Sequence, residues 1–355
     1  MQILKYLFLI VVLSFIGLTV YILTQKGDYT VTRSKVVKAP RMIVFEYVND
    51  YKNWETFSSW KKNDPEMTFT YPAKTMGIGA SYSWQGNDGN GFMKTIFVKE
   101  NDSIAQKVNW NGESGDAYIT FKDTIGGTKV TMNSSGELDF MGKLQSLFYG
   151  GFEKKLGADF ENNLATLDKV LHKEISTYSI DLNGIVEVLP QKYLKRKGES
   201  KVSDFYSVLQ KSLPLLHNFV SDNKIKTNNQ KFVVFDTYDV AKNKTVFSIA
   251  TTLKEIIYTT PESEFTVDSI QPHQALKIVL KGDYSHSKEA WDKGFDYLKK
   301  NNLDQNFNGA FREVYVKNRA DVKQPSQWLT EIYIPVKQQT SRVIAPSVVN
   351  STPIE

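Results

Sequence analysis

The chain opens on a nearly unbroken apolar run, ILKYLFLIVVLSFIGLTVYILT, with Lys5 as its single charge. About twenty such residues are enough helix to cross a bilayer. Tyr6 and Tyr21 sit near its two ends, where amphipathic rings favour the interface. A cleaved leader would have a shorter apolar core and a small-residue cleavage site. Here TQKGD follows instead, so the expectation is an uncleaved, single-pass anchor over residues 1–25. Lys5 and the amino terminus on one side oppose Lys26, Arg33, Lys35, Lys38 and Arg41 on the other, and the positive-inside rule leaves the side of the membrane open.

Beyond the anchor the pattern falls to a period of two. YTVTRSKVVK reads as a strand that ends at Ala39-Pro40, since proline holds the residue before it extended and suits a first helical turn. Ile43, Val44, Tyr47 and Val48 then mark a short amphipathic helix. Six β-rich runs follow, EMTFTY, GASYSW, GFMKTIFVKE, SIAQKVNW, DAYITFKD and TKVTMNSSGEL, separated by turn residues such as GNDGNG and IGG. A long helix closes this stretch, with Leu156, Phe160, Leu164, Leu167 and Leu171 on one face. Strand, helix, antiparallel meander and long C-terminal helix make a helix-grip domain over residues 29–172, an arrangement that leaves a cavity between sheet and helix. Trp54, Trp60, Trp84 and Trp110 either line that cavity or fill it.

After the polar stretch KEISTYSIDLNG the pattern repeats itself. Each half of residues 176–338 reads as strand, helix, strand, strand, a pseudo-twofold duplication with a cleft where the halves meet. The fold class is therefore α+β, a helix-grip antiparallel sheet domain followed by the duplicated domain. The tail, residues 339–355, reads as disordered. In the last strand, WLTEIYIPVK, alternation sets Glu331 on the same face as Leu329 and Tyr333. Trp291, Phe295 and Leu298 form a stripe that packs a helix on the sheet.

Composition changes little in this picture. The chain is 41% hydrophobic and 13% aromatic, as in folded proteins, and its net charge of +5 is scattered. The basic cluster KYLKRKGESK reads as a solvated hairpin, and no helix-turn-helix pattern is visible, so nucleic acid is not an expected partner. The absence of cysteine excludes disulfides, thiolate metal sites and a cysteine nucleophile. The four histidines, His172, His217, His273 and His286, lack metal-ligand spacing, and neither metal nor cofactor is expected.

Two resemblances add expectations. VVKAPRMIVFEYVNDYKNW, SYSWQGNDGNGFMK and GTKVTMNSSGELDFMGKLQSLFYGGFEKKLGADFENNLATLDKV resemble the SRPBCC superfamily, in its polyketide-cyclase/START-like branch. That implies the helix-grip fold and a hydrophobic cavity, though no reaction. LKGDYSHSKEAWDKGFDYLKKNNL, FREVYVKN and WLTEIYIPVK resemble the GyrI-like small-molecule-binding domain, the effector-binding domain of multidrug-responsive transcription activators. The resemblance implies that the acid of the TEIYIP strand, Glu331, faces an aromatic-lined cleft for lipophilic cations, with Tyr333 beside it. Trp291, Tyr315 and Tyr284 are further candidates to line the cleft.

The physics is consistent with such a site. A buried carboxylate is costly until it is paired, and an aromatic-walled cleft adds cation–π attraction to an arriving cation. A lysine nearby, or Arg312, is the alternative partner for Glu331. The resulting expectation is a membrane-anchored binding protein for small hydrophobic or cationic molecules, with an apolar ligand in the first cavity. Some members of this family hydrolyse electrophilic genotoxins, which implies the alternative of a hydrolase with Glu331 as general acid or base and Tyr333 assisting.

Overall fold

The computed structural model describes residues 2–338, apart from residues 88, 149, 150, 261 and 320; the expected disordered tail, 339–355, lies outside the described residues. The chain resolves into two compact units that divide between Glu174 and Ile175. The first begins with helix α1 (Gln2–Thr24). Among the described residues α1 alone is long and apolar enough to cross a membrane, by length and composition. Its side chains are almost all exposed, with Ile22 the buried exception.

Strand β1 (Asp28–Val37) leads through Pro40, at the N-cap position, into helix α2 (Arg41–Asn49), which buries Ile43, Val44, Phe45 and Val48. Two short helices follow, α3 (Trp54–Phe57) and α4 (Ser59–Asn63). Then come β2 (Thr68–Thr70), β3 (Ser81–Gly86), β4 (Gly89–Lys99), β5 (Ser103–Trp110), β6 (Glu113–Thr124) and β7 (Gly127–Glu137). The seven strands form one antiparallel sheet in the order β1-β7-β6-β5-β4-β3-β2, a meander whose ends are the first two strands in the chain. Helices α5 (Phe140–Phe148) and α6 (Phe152–Ser176) complete the unit, and α6 buries Leu164, Leu167 and Leu171. Asn163 of α6 accepts the Ser59 N–H at 2.6 Å, which pins this helix to α4.

The second unit contains β8 (Ser179–Val188), β9 (Gln191–Ser200), α7 (Phe205–Asp222), β10 (Thr227–Asp239) and β11 (Lys244–Leu253). Its second half contains β12 (Thr266–Ile270), β13 (His273–Lys281), α8 (Ser287–Lys300), β14 (Arg312–Lys317) and β15 (Leu329–Val336). Each half thus has one strand more than the pattern predicts, because the long apolar segments divide at Leu189-Pro190 and at Gln271-Pro272. Proline has no N–H for a ladder, so a strand ends there.

These breaks shape the sheet. The strand order is β12-β9-β11-β10-β14-β15-β13-β8, so each half lends its first strand to the other. Two residues join β8, at one edge, to β9, next to the opposite edge. A flat sheet would put six strand spacings between them, roughly 29 Å, whereas three peptide steps reach about 11 Å. The sheet must therefore curl until its edges approach. Val188 of β8, Tyr193 of β9, Ile270 of β12 and Ala275 of β13 accordingly share one buried cluster on the inner face. The other cluster packs Ala290 and Leu298 of α8 on Leu276, Ile278, Ile332 and Ile334, so that helix covers the outer face.

Candidate functional site

Strand β14, in the middle of the second unit's sheet, places a carboxylate under the helices. Glu313 of β14 stands across from Ile332 of β15, whose side chain belongs to the outer, helix-covered face. It is 1% exposed. Three neutral donors hold it: Trp291 Nε1 of α8 at 2.8 Å, Tyr315 Oη of its own strand at 2.9 Å, and Tyr206 Oη of α7 at 3.1 Å. Among the described residues no lysine, arginine or histidine forms an ion pair with it. Burial raises the Glu313 carboxyl above the ordinary range, and the bonds from Trp291, Tyr315 and Tyr206 only partly oppose this. The same burial pushes the Tyr206 and Tyr315 hydroxyls well up, which keeps them protonated as donors.

More rings extend the cage. Tyr284 stacks on Tyr206 at 5.3 Å, meets Tyr315 edge-on at 5.4 Å and packs on Trp328 at 4.7 Å, while Phe235 meets Trp291 edge-on at 5.8 Å. A buried acid in such a cage has only neutral partners and several π faces around it. It can hold a proton, or it can exchange that proton for a cation.

The inner face carries a different cluster. Glu331 of β15 lies across from Val314 and Val279, on the concave side of the sheet. Both of its oxygens are engaged, Oε1 by Lys277 Nζ at 2.8 Å and Oε2 by Tyr333 Oη at 2.6 Å. Arg312 stands across from Tyr333, and its guanidinium lies 4.3 Å over that ring. Burial lowers the Arg312 pKa, against the opposing pull of Tyr333 and Glu331.

The five residues singled out in the sequence thus fall into two groups on opposite sides of one sheet. Trp291, Tyr315 and Tyr284 gather around Glu313, and Glu331 and Tyr333 stand with Lys277 and Arg312. The sequence reading missed Glu313, Tyr206 and Lys277. A signal for Glu313 was present: FREVYVKN contains the same acid-apolar-tyrosine triplet as WLTEIYIPVK. Only the register between β14 and β15 tells which triplet lies under the helices.

The first unit holds a cavity of about 180 Å³ between its sheet and α6. Trp54, Trp60, Trp110, Met93, Ile119, Met132, Leu156 and Phe160 line it, with Gln106, Glu113 and Asn163 among its polar groups. Trp84 stands behind this wall, 5.3 Å from both Trp60 and Trp110. Three of the four tryptophans therefore line the cavity, while Trp84 fills the core beneath. Burial, reinforced by the Asp139 carboxyl, pushes Glu113 up to about 7. Among the described residues no three His, Asp or Glu side chains gather as a metal site.

Residues 193–337 match the family model of the GyrI-like small molecule binding domain, which spans less than half of the chain. Several solved structures are similar at low identity. The C-terminal domain of EcmrR is 14% identical, with 45% of this chain and 98% of that one covered at a TM-score of 0.39. SAV2435, solved with tetraphenylphosphonium, is 13% identical over 44% of this chain and 94% of that one, with a TM-score of 0.34. Aha1 from Colwellia psychrerythraea is 12% identical over 40% and 96%, with a TM-score of 0.30. No curated protein sequence matches the chain.

Proposed function

We infer that this chain is a membrane-anchored small-molecule receptor whose second unit binds lipophilic cations against Glu313. One observation carries the reading: a carboxylate that is 1% exposed, ringed by Trp291, Tyr315 and Tyr206, and without an ion-pair partner among the described residues. The match of residues 193–337 to a small-molecule-binding domain supports it. An arriving cation supplies the missing counter-charge, and Trp291, Tyr315 and Tyr284 supply the aromatic walls. In this reading α1, within residues 1–25, is the anchor. The helix-grip unit, residues 29–172, holds an apolar molecule in its tryptophan-lined cavity, and residues 176–338 form the receptor for cations.

The test uses the full chain in detergent, titrated with tetraphenylphosphonium and with neutral triphenylphosphine oxide. Removing one partner of a buried charge pair costs about 2–5 kcal/mol, so Glu313→Gln should weaken the cation about 30-fold or more. The neutral compound should keep its affinity within about twofold. Cation binding that survives Glu313→Gln would sink this assignment. Alkaline carbonate extraction checks the anchor: an anchored chain stays with the membrane at full length, and a cleaved one is released shorter.

A further inference from the structure

The cluster on the inner face of the second unit's sheet has charges that do not balance. Both oxygens of Glu331 are taken, one by Lys277 and one by Tyr333. Arg312 is left over. It is 8% exposed, and no carboxylate stands within ion-pair distance of it among the described residues. Its Nε is buried without a hydrogen-bond partner. The Tyr333 ring covers one flat side of the guanidinium, and the in-plane Nε–H has no acceptor among the described residues. Summing the cluster, Lys277 and Arg312 against Glu331 give two positive charges and one negative, a net of one positive charge.

We propose that Arg312, with Lys277 beside it, is a binding site for an organic carboxylate on the inner face of this sheet. The planar fork of a guanidinium matches a carboxylate with two parallel hydrogen bonds, and stacking on an aromatic ring does not compete with them. One negative charge neutralises the cluster, whereas a phosphate dianion would reverse its sign in a mostly desolvated place. The body of the ligand is apolar, because half-buried Val234 flanks Arg312 across the strand pair and half-buried Ala310 packs on the same apolar cluster. Lys277 and Glu331, with side chains 24% and 19% exposed, give the cluster its opening to solvent. This site is separate from the Glu313 cage, because consecutive residues of a strand face opposite sides of the sheet.

The experiment is calorimetric titration of the full chain in detergent at neutral pH with 1-naphthoate, 1-naphthyl phosphate and uncharged 1-naphthamide. The wild type should bind naphthoate at least tenfold more tightly than naphthamide and more tightly than the phosphate. Arg312→Met should erase the preference for naphthoate and leave tetraphenylphosphonium binding within about twofold. Glu331→Gln should strengthen naphthoate several-fold, since it removes the one negative charge that competes with the ligand. The melting temperature of ligand-free Arg312→Met should be unchanged or higher, because an unpartnered buried charge has been removed. The proposal is overturned if wild type shows no preference for naphthoate over naphthamide, or binds the phosphate more tightly. It fails equally if Arg312→Met keeps the preference or no longer folds, or if Glu331→Gln weakens naphthoate.

Discussion

The two faces of the second unit's sheet differ in a way the linear sequence conceals. Arg312 and Glu313 are neighbours in the chain, opposite in sign and both nearly buried, at 8% and 1% exposure. In a helix or loop they could neutralise each other. In β14 they cannot, because alternation sends one to the concave face and the other under the helices. The same logic separates the two acid-apolar-tyrosine triplets. In each, the tyrosine hydroxyl donates to the acid two residues before it, at 2.9 Å for Tyr315 to Glu313 and 2.6 Å for Tyr333 to Glu331. Across β14 and β15, Glu313 pairs with Ile332 and Val314 with Glu331, an offset of one residue that turns the triplets to opposite sides. Among the described residues, Glu313 on one face thus has no cation paired with it, and Arg312 on the other has no acid paired with it. Each is a demand that a small molecule can meet.

The largest effect that separates the faces is on stability. Glu313→Ala leaves the Trp291, Tyr206 and Tyr315 donors without an acceptor in a closed cage. An unsatisfied buried group costs about 1–3 kcal/mol, so a total of about 3 kcal/mol or more is expected in denaturant unfolding. Arg312→Met orphans no acceptor and should lose nothing. Equal losses in the two variants would mean that the guanidinium has a structural partner, and the contrast between the faces would fail.

Next in size is Trp291→Phe, which keeps a ring in the cage and removes one donor to the acid. A hydrogen bond to a charged group contributes about 1.5–3 kcal/mol, so cation affinity should fall about tenfold or more. Naphthoate binding should not change, because Trp291 lies on the other side of the sheet. A parallel fall in both ligands would show that the helix has shifted and that the faces are coupled.

The pH dependence of stability gives a subtler contrast. The Glu313 carboxyl is raised from 4.5, first of all by burial. A carboxyl raised in the folded state favours folding while it is protonated. Its contribution is full below the unfolded value of 4.5 and fades as pH climbs through the higher folded value. Glu313→Gln lacks this group, so wild type should lose melting temperature relative to the variant across that window, and match its slope outside it. Cation affinity should rise with pH over the same interval, since the acid must shed its proton to become the counter-charge. Parallel melting curves from pH 4 to 9 read the first effect and titrations at the two ends read the second.

Much of the molecule could be read from patterning alone. The six β-rich runs of the first unit became six strands, and the leucine stripe of its closing helix became the buried side of α6, because period and turn chemistry are local properties. The alternation of WLTEIYIPVK also gave the correct grouping of Glu331 with Tyr333. What the sequence could not supply was non-local. Register between β14 and β15 decides which glutamate is covered, and it follows from how the whole sheet pairs. The curl of that sheet follows from two proline breaks whose meaning emerges only once the strand order is known. Lys277 shows the same limit, since it lies 54 positions before its partner Glu331 and reaches it only through the pairing of β13 with β15.

The smallest expected change, and the sharpest for the inner face, comes from Lys277→Met. The Lys277–Glu331 bridge is partly open to solvent, and pairs of that kind contribute about 0–1 kcal/mol. The melting temperature should therefore hardly move. Binding should respond far more. With Lys277 gone, Glu331 keeps the Tyr333 hydroxyl and gains Arg312 as its nearest cation, so the guanidinium is drawn into an internal pair and the cluster becomes neutral. Naphthoate should lose its advantage over naphthamide although Arg312 itself is intact, and tetraphenylphosphonium should bind as in wild type. If naphthoate keeps its preference in Lys277→Met, Arg312 is held on the Tyr333 ring independently of its neighbours' charge, and the inner face is an anion site of one arginine alone. If instead the protein loses several kcal/mol, the lysine–glutamate pair is a structural clamp, and the comparison between the faces reduces to the Glu313 cage.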